Sequence, residues 1–184
     1  SISDPVTMGG TGKEDHQCFG YDGYQRLIEA WTPATDDCDQ RKRTTANLAG
    51  AAPYWSSFDY NDAGLRTTET QHSTTGDTVI GYGYDKTRSH QLAQTTTTRP
   101  DGTTSTATYT YDDLGNTRTR PGAQGAQTLT WDAEGHLVNT SEPAKGTVPA
   151  KNTNYLYDAD GNLLIRRATH GDGDTTLYLG ATEV

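Results

Sequence analysis

Large and polar residues alternate along this chain in short bursts, not in long runs. Tyr109 and Tyr111 stand two apart around Thr110, and Tyr155 and Tyr157 stand two apart around Leu156. Side chains at i and i+2 of an extended strand share one face, so each pair predicts a strand with an aromatic face. Thr108, Thr110, Thr128 and Thr130 around these positions are β-branched and suit a pleated surface. Asp112, Asp132 or Asp158 follows the second large residue, and Gly115, Gly135 or Gly161 comes three positions later. These are the favoured first and last residues of a type I turn. The Gly can take positive φ and hand the chain to a returning strand, with the bulge such loops often carry. Returning strands are legible at 116–119, 136–138 and 163–166. The repeated word is a β-hairpin.

The word occurs six times. Leu129, Trp131, Asp132 and Gly135 repeat the frame, as do Phe58, Tyr60, Asn61 and Gly64. Weaker copies, without Gly in place, start at Phe19, Tyr21, Asp22 and at Tyr82, Tyr84, Asp85. The second large residue falls at 21, 60, 84, 111, 131 and 157, so a short module is joined by loops of variable length. One repeat region over residues 1–184 is expected, its copies within 19–167, with 1–17 and 168–184 as flanking strands or tails. The expected fold is all-β: successive antiparallel hairpins in one curved or spiralling sheet. Only 31% of residues are hydrophobic, too few for a two-layer sandwich. Aromatic ladders across neighbouring strands are the expected glue.

Composition then narrows function. Fifteen Lys and Arg against 24 Asp and Glu give a net charge of -9, which disfavours nucleic acid and anionic membrane surfaces as partners. No apolar run reaches the ~18 residues of a helical span. The start at SISDPVTMGG lacks Met and the features of a signal peptide, so a piece of something longer is expected.

The frame aromatic-x-Tyr-Asp-x-x-Gly-Asn, carried best by residues 109–116 and 155–162, resembles the YD repeat of the Rhs family. Related repeats build the shells of insecticidal toxin complexes and teneurins. Residues 176–184 resemble the stretch just before that family's C-terminal core. The resemblance implies a long sheet wound into a hollow shell, which in many bacterial members encloses a C-terminal toxin released after cleavage near an Asp-Pro motif. Here the one Asp-Pro is Asp4-Pro5, at the opposite end, so neither cleavage nor cargo is carried over. Six repeats would make a wall section.

Cys18 and Cys38 flank the first hairpin, between Phe19 and Trp31. A disulfide across the hairpin mouth is the expectation and favours export. Free thiols, or a metal pair with only His16 in support, are the alternatives.

Sequence signals for catalysis are thin. Asp158, Asp160 and Asn162, and likewise Asp172 and Asp174, resemble starts of calcium loops, but the twelfth position counted from Asp158 is Thr169. They read as turns. The histidines at 16, 72, 90, 136 and 170 form no zinc motif, and no GxSxG occurs. A carboxylate pair meeting in space, as in glycosidases, is conceivable among so many acids. Gln40–Arg43 is locally basic and reads as a solvated loop with one helical turn, with a partner site as the alternative; residues 142–149 read as a plain loop. The expected role is a structural segment of a secreted or cell-surface shell, not an enzyme, with no cofactor. Its expected partners are the rest of the shell and its cargo, with self-association through sheet edges as a further possibility. The alternative is a sugar-binding or adhesive region using exposed Tyr and Trp rows, with a glycan as partner.

Overall fold

A computed structural model describes residues 2–4, 15–170, 173–180 and 182–183. Pro5 of the Asp4-Pro5 pair and Asp172 lie outside the described residues. The described chain is antiparallel β-structure with two single 3-10 turns, Gln40–Lys42 and Thr45–Asn47.

The first sheet contains β1 (Ile2–Asp4), β2 (Asp15–Tyr21), β3 (Leu27–Trp31), β4 (Trp55–Tyr60), β5 (Arg66–Gln71), β6 (Thr78–Tyr84), β7 (Leu92–Thr98) and β8 (Thr104–Thr108), side by side in chain order. The second contains β9 (Thr110–Tyr111), β10 (Thr117–Pro121), β11 (Ala126–Trp131), β12 (Leu137–Glu142), β13 (Lys151–Tyr157), β14 (Leu163–His170), β15 (Thr175–Leu179) and β16 (Thr182–Glu183), also in chain order. Strand-next-to-strand order is the topology that a string of hairpins dictates. The single continuous sheet expected from the repeats is realised as two. β8 ends at Thr108 in the first sheet and β9 begins at Thr110 in the second. The chain forms two compact units, residues 1–106 and 107–184.

All six predicted hairpins form: β2–β3, β4–β5, β6–β7, β9–β10, β11–β12 and β13–β14. Each has a register shift at its closed end, and in all six the second large residue sits at that shift: Tyr21, Tyr60, Tyr84, Tyr111, Trp131 and Tyr157. An extra residue there bends the strand and tightens its twist.

The turns repeat atom for atom. Oδ1 of Asp22, Asp112, Asp132 and Asp158 each accepts the backbone N–H groups two and four residues on, at 2.8–3.0 Å. Asn61 uses its Oδ1 for Leu65. The carboxylates bind protons less readily as a result. For Asp22 and Asp132 the largest cause is the backbone bond four residues on, and for Asp158 it is the Asn162 side chain. At Asp112 burial pushes the other way, and the bonds from Asn116 and Leu114 outweigh it.

The fourth turn position has positive φ: 78° at Gly64, 93° at Gly115, 86° at Gly135 and 80° at Gly161. In the first repeat Gln25 holds that place at 63°, the lone non-Gly residue with positive φ among those described. The Tyr84 hairpin lacks the Gly because its loop is longer: Asp85 N–H bonds Gln91 C=O, and Leu92 is the partner of Tyr84.

Little side-chain mass is buried. Among the described residues, Cys18, Ala30 and Trp31 are the buried apolar ones of the first unit and Leu129 that of the second. Trp131, Tyr155 and Tyr157 are half-buried while Thr130 and Leu156 between them are exposed, so the predicted covered face exists. The ring contact seen across successive repeats joins His136 of one hairpin to Tyr157 of the next, centroids 4.8 Å apart. A returning strand lies between the aromatic strands of neighbouring hairpins, which sets them about 9–10 Å apart, beyond ring-stacking range. The gap is closed in two ways. Arg66, on a returning strand, lies over both Phe58 (4.5 Å) and Tyr82 (5.6 Å), the first aromatics of two successive repeats. The second aromatic reaches across with its polar end. Tyr60 OH donates to Leu27 C=O at 2.7 Å and Tyr84 OH to Arg66 C=O at 2.8 Å. Trp131 Nε1 donates to Thr117 C=O at 2.8 Å and Tyr157 OH to Leu137 C=O at 3.0 Å. Each acceptor is the register partner of the second aromatic one repeat earlier, at Tyr21, Tyr60, Tyr111 and Trp131. Tyr21 itself is 58% exposed. Its outer neighbour β1 pairs with residues 15–17.

Candidate functional site

The most elaborate side-chain cluster is on one face of the first unit. Register places Cys18 opposite Trp31, Trp31 opposite Trp55, Gly20 opposite Glu29 and Glu29 opposite Ser57, so these residues share a face. The connection from β3 to β4, residues 32–54, folds back over it. Thr32 N–H bonds Tyr54 C=O, Ala34 N–H bonds Asn47 C=O and Ala49 N–H bonds Thr32 C=O, closing this strap on itself. Cys38 ties it down through the predicted disulfide to Cys18, with Cα atoms 5.5 Å apart and Cys18 fully buried. Gly20 leaves room for it, since a Cβ there would meet Gln40 Nε2 at 2.6 Å.

Arg43 is the strap's anchor and departs from the solvated-loop reading of Gln40–Arg43. Its guanidinium lies over the rings of Trp31 (5.5 Å) and Trp55 (5.1 Å) and pairs with Glu29, whose side chain is 6% exposed. Trp55 Nε1 donates to the same carboxylate at 2.7 Å. A buried carboxylate needs such partners, and Arg supplies charge and a flat face together. The rest of the basic run is a surface feature: Arg41 pairs with Asp39 and Lys42 with Asp37, both exposed. The strap itself encloses, over Trp31, a cavity of about 200 Å³ lined by Pro33, Thr35, Asp37, Lys42, Thr44 and Leu48 among others.

At the strap's edge the face continues as Trp55, Ser57 and His72. The imidazole lies tilted against the Trp55 indole, centroids 3.9 Å apart and planes at 31°. Ser57 Oγ is 2.8 Å from His72 Nε2, and His72 Nδ1 is 3.0 Å from Asp77 Oδ2. No sequence motif announces this trio, because its members are 15 and 5 residues apart and meet only through hairpin register. The pairing of His72 N–H with Trp55 C=O is the signal that aligns them.

Two other groupings are turn structure. Asp132, Glu134 and His136 put ligand-type atoms within 4.8 Å of one another. Asp132 Oδ1 is spent on backbone, Oδ2 is 3.3 Å from His136 Nδ1, and the imidazole stacks on Tyr157 at 4.8 Å. The calcium-like run at Asp158 is likewise a turn, its carboxylate engaged by Asp160, Asn162 and the Asn162 amide. A hollow of about 500 Å³ lies among Tyr24, Arg26, Tyr60 and residues 61–64, with Arg26 over both tyrosine rings.

No family model matches the sequence, and no curated protein matches it. Solved structures do. The crystal structures of TcdB2-TccC3-TEV and TcdB2-TccC3-Cdc42 superpose with TM-scores of 0.55 and 0.53, at 19% and 18% identity. The Photorhabdus luminescens Tc holotoxin pore carrying the TccC3-D651A mutation gives 0.54 at 18% identity. Each match covers 90% of this chain and 9% of the other. The chain thus shares the fold of a short stretch of these toxin-complex chains.

Proposed function

We propose that this chain is a structural wall segment of a secreted Rhs/YD-repeat shell that encloses or displays a cargo domain. The observation that carries the reading is the inter-repeat bond from the second aromatic of one hairpin to the returning strand of the hairpin before it. A bond made only to the preceding hairpin lets a sheet grow by addition, as a wall requires. The likeness to Tc-complex chains, the chain-order antiparallel strands of each sheet and the strap disulfide support it. Partners on this reading are further shell repeats and the cargo, the location is extracellular, and the role is structural rather than catalytic.

The sugar-binding reading needs rows of open rings. Tyr60, Tyr84, Trp131 and Tyr157 instead point their polar ends at internal carbonyls. The direct test is protease protection of the parent polypeptide purified from culture medium. Sequence beyond the repeats should survive digestion while the wall is folded and be degraded once Trp131→Ala opens it. Equal degradation in both would refute the shell reading.

A further inference from the structure

We propose that Ser57 is an activated nucleophile, a covalent modification site for activated acyl and phosphonyl electrophiles on the strap-bearing face of the first unit. Hydroxyl, imidazole and carboxylate stand in the order that serine activation requires: Ser57 Oγ to His72 Nε2 at 2.8 Å, and His72 Nδ1 to Asp77 Oδ2 at 3.0 Å. With Asp77 accepting from Nδ1–H, Nε2 is left as the acceptor facing the Ser57 hydroxyl; this tautomer is assigned from the partners.

Rigid elements hold the three groups. Ser57 pairs with Thr70 in the β4–β5 ladder, and His72 continues that ladder opposite Trp55, so Ser57 and His72 are diagonal neighbours on one face. The Trp55 indole lies against the imidazole and is itself fixed by its bond to Glu29. Asp77 closes the turn begun at Ser73, whose hydroxyl donates to Gly76 C=O at 2.8 Å. His72 keeps 17% of its side chain exposed and Ser57 is half-buried, so a small electrophile has access.

With a fluorophosphonate, Ser57 Oγ attacks phosphorus, the O–P bond forms, and the P–F bond breaks with fluoride taking the electron pair. The hydroxyl proton passes to His72 Nε2, and the imidazolium is stabilised by Asp77 until it loses that proton to solvent. An activated ester reacts likewise: an O–C bond forms and the alkoxide leaves with the proton from His72. The backbone around Ser57 is committed to the ladders with Glu29 and Thr70. The site therefore offers nucleophile, base and orienting acid without a pair of free amides for an oxyanion. One covalent event per chain follows, not turnover, which is compatible with a wall segment.

The test is labelling of the full 184-residue chain with a fluorophosphonate probe, followed by peptide mass spectrometry. Ser57 should be modified ahead of Ser56 and Ser73, and Ser57→Ala should remove the adduct. His72→Asn should slow labelling about a hundredfold or more. Because that change also removes a ring packed on Trp55, Asp77→Asn in the exposed turn serves as the second variant. It should slow labelling while leaving the far-ultraviolet dichroism unchanged. Ser57 reacting no faster than Ser56, or an unaltered rate in both variants, would overturn the proposal.

Discussion

The indole N–H of Trp131 donates to the backbone carbonyl of Thr117, 2.8 Å away, and Thr117 is the register partner of Tyr111 one repeat earlier. One side chain thereby couples two hairpins through an atom that no substitution at 117 can delete. Trp131→Phe removes the donor and should cost about 1 kcal/mol, the worth of a typical internal hydrogen bond. Trp131→Ala also removes the half-buried ring and should cost about 3 kcal/mol. Urea midpoints of the two variants separate bond from ring. An unchanged midpoint in Trp131→Ala would contradict a structural role for the residue.

Gln25 occupies a left-handed position that four other hairpins give to Gly. An L side chain there costs about 1 kcal/mol relative to Gly. Gln25→Gly should therefore raise stability by about 0.5–1 kcal/mol despite the greater freedom of the unfolded chain. The converse change, Gly161→Ala, should destabilise, since φ is 80° and a Cβ would meet His136 Nε2 at 3.0 Å. Thermal melts of the pair should move in opposite directions.

The strap makes two separable predictions. Thiol titration under denaturant should find no free cysteine, and replacing Cys18 and Cys38 by Ser should cost about 3 kcal/mol in guanidinium unfolding. Arg43→Ala strips a buried carboxylate of its cation and should cost about 3–5 kcal/mol. Arg43→Lys should recover little of that, because an ammonium cannot lie flat between Trp31 and Trp55 as the guanidinium does.

Acid should loosen the turns. Asp22, Asp112, Asp132 and Asp158 are all held below the ordinary carboxylate value of 3.8. A depressed folded value means that their contribution is complete above the unfolded value and fades as pH falls through the folded one. The melting temperature should stay level down to about pH 5 and decline below about pH 4. Replacing the four by Asn should flatten that decline. A decline of equal size in the quadruple variant would place its cause elsewhere.

Hairpins and turns were legible because their determinants are local. Asp112 and Gly115 lie within one turn and specify it through their own chemistry. Tyr155 and Tyr157 mark a strand by spacing alone. The Cys18–Cys38 bridge was legible for a related reason: the hairpin returns the chain to Trp31 opposite Cys18, leaving Cys38 a short connection away. The break into two sheets at Tyr109 was not, since Thr108 and Thr110 look like one strand. Nor was the role of Arg43, whose partners Glu29, Trp31 and Trp55 come from two strands on either side of the strap. The Ser57–His72–Asp77 contacts depend on the β4–β5 register, which a one-residue slip would undo.

The bonds at Tyr60, Tyr84, Trp131 and Tyr157 have the same form, yet the connections they bridge differ widely: residues 32–54, 72–77, 122–125 and 143–150. Junction geometry is thus independent of connector length. Such an architecture accepts longer segments at its connectors without losing alignment, as at the strap of residues 32–54. New surface can be added at these places, while changes inside a hairpin are felt by its neighbours.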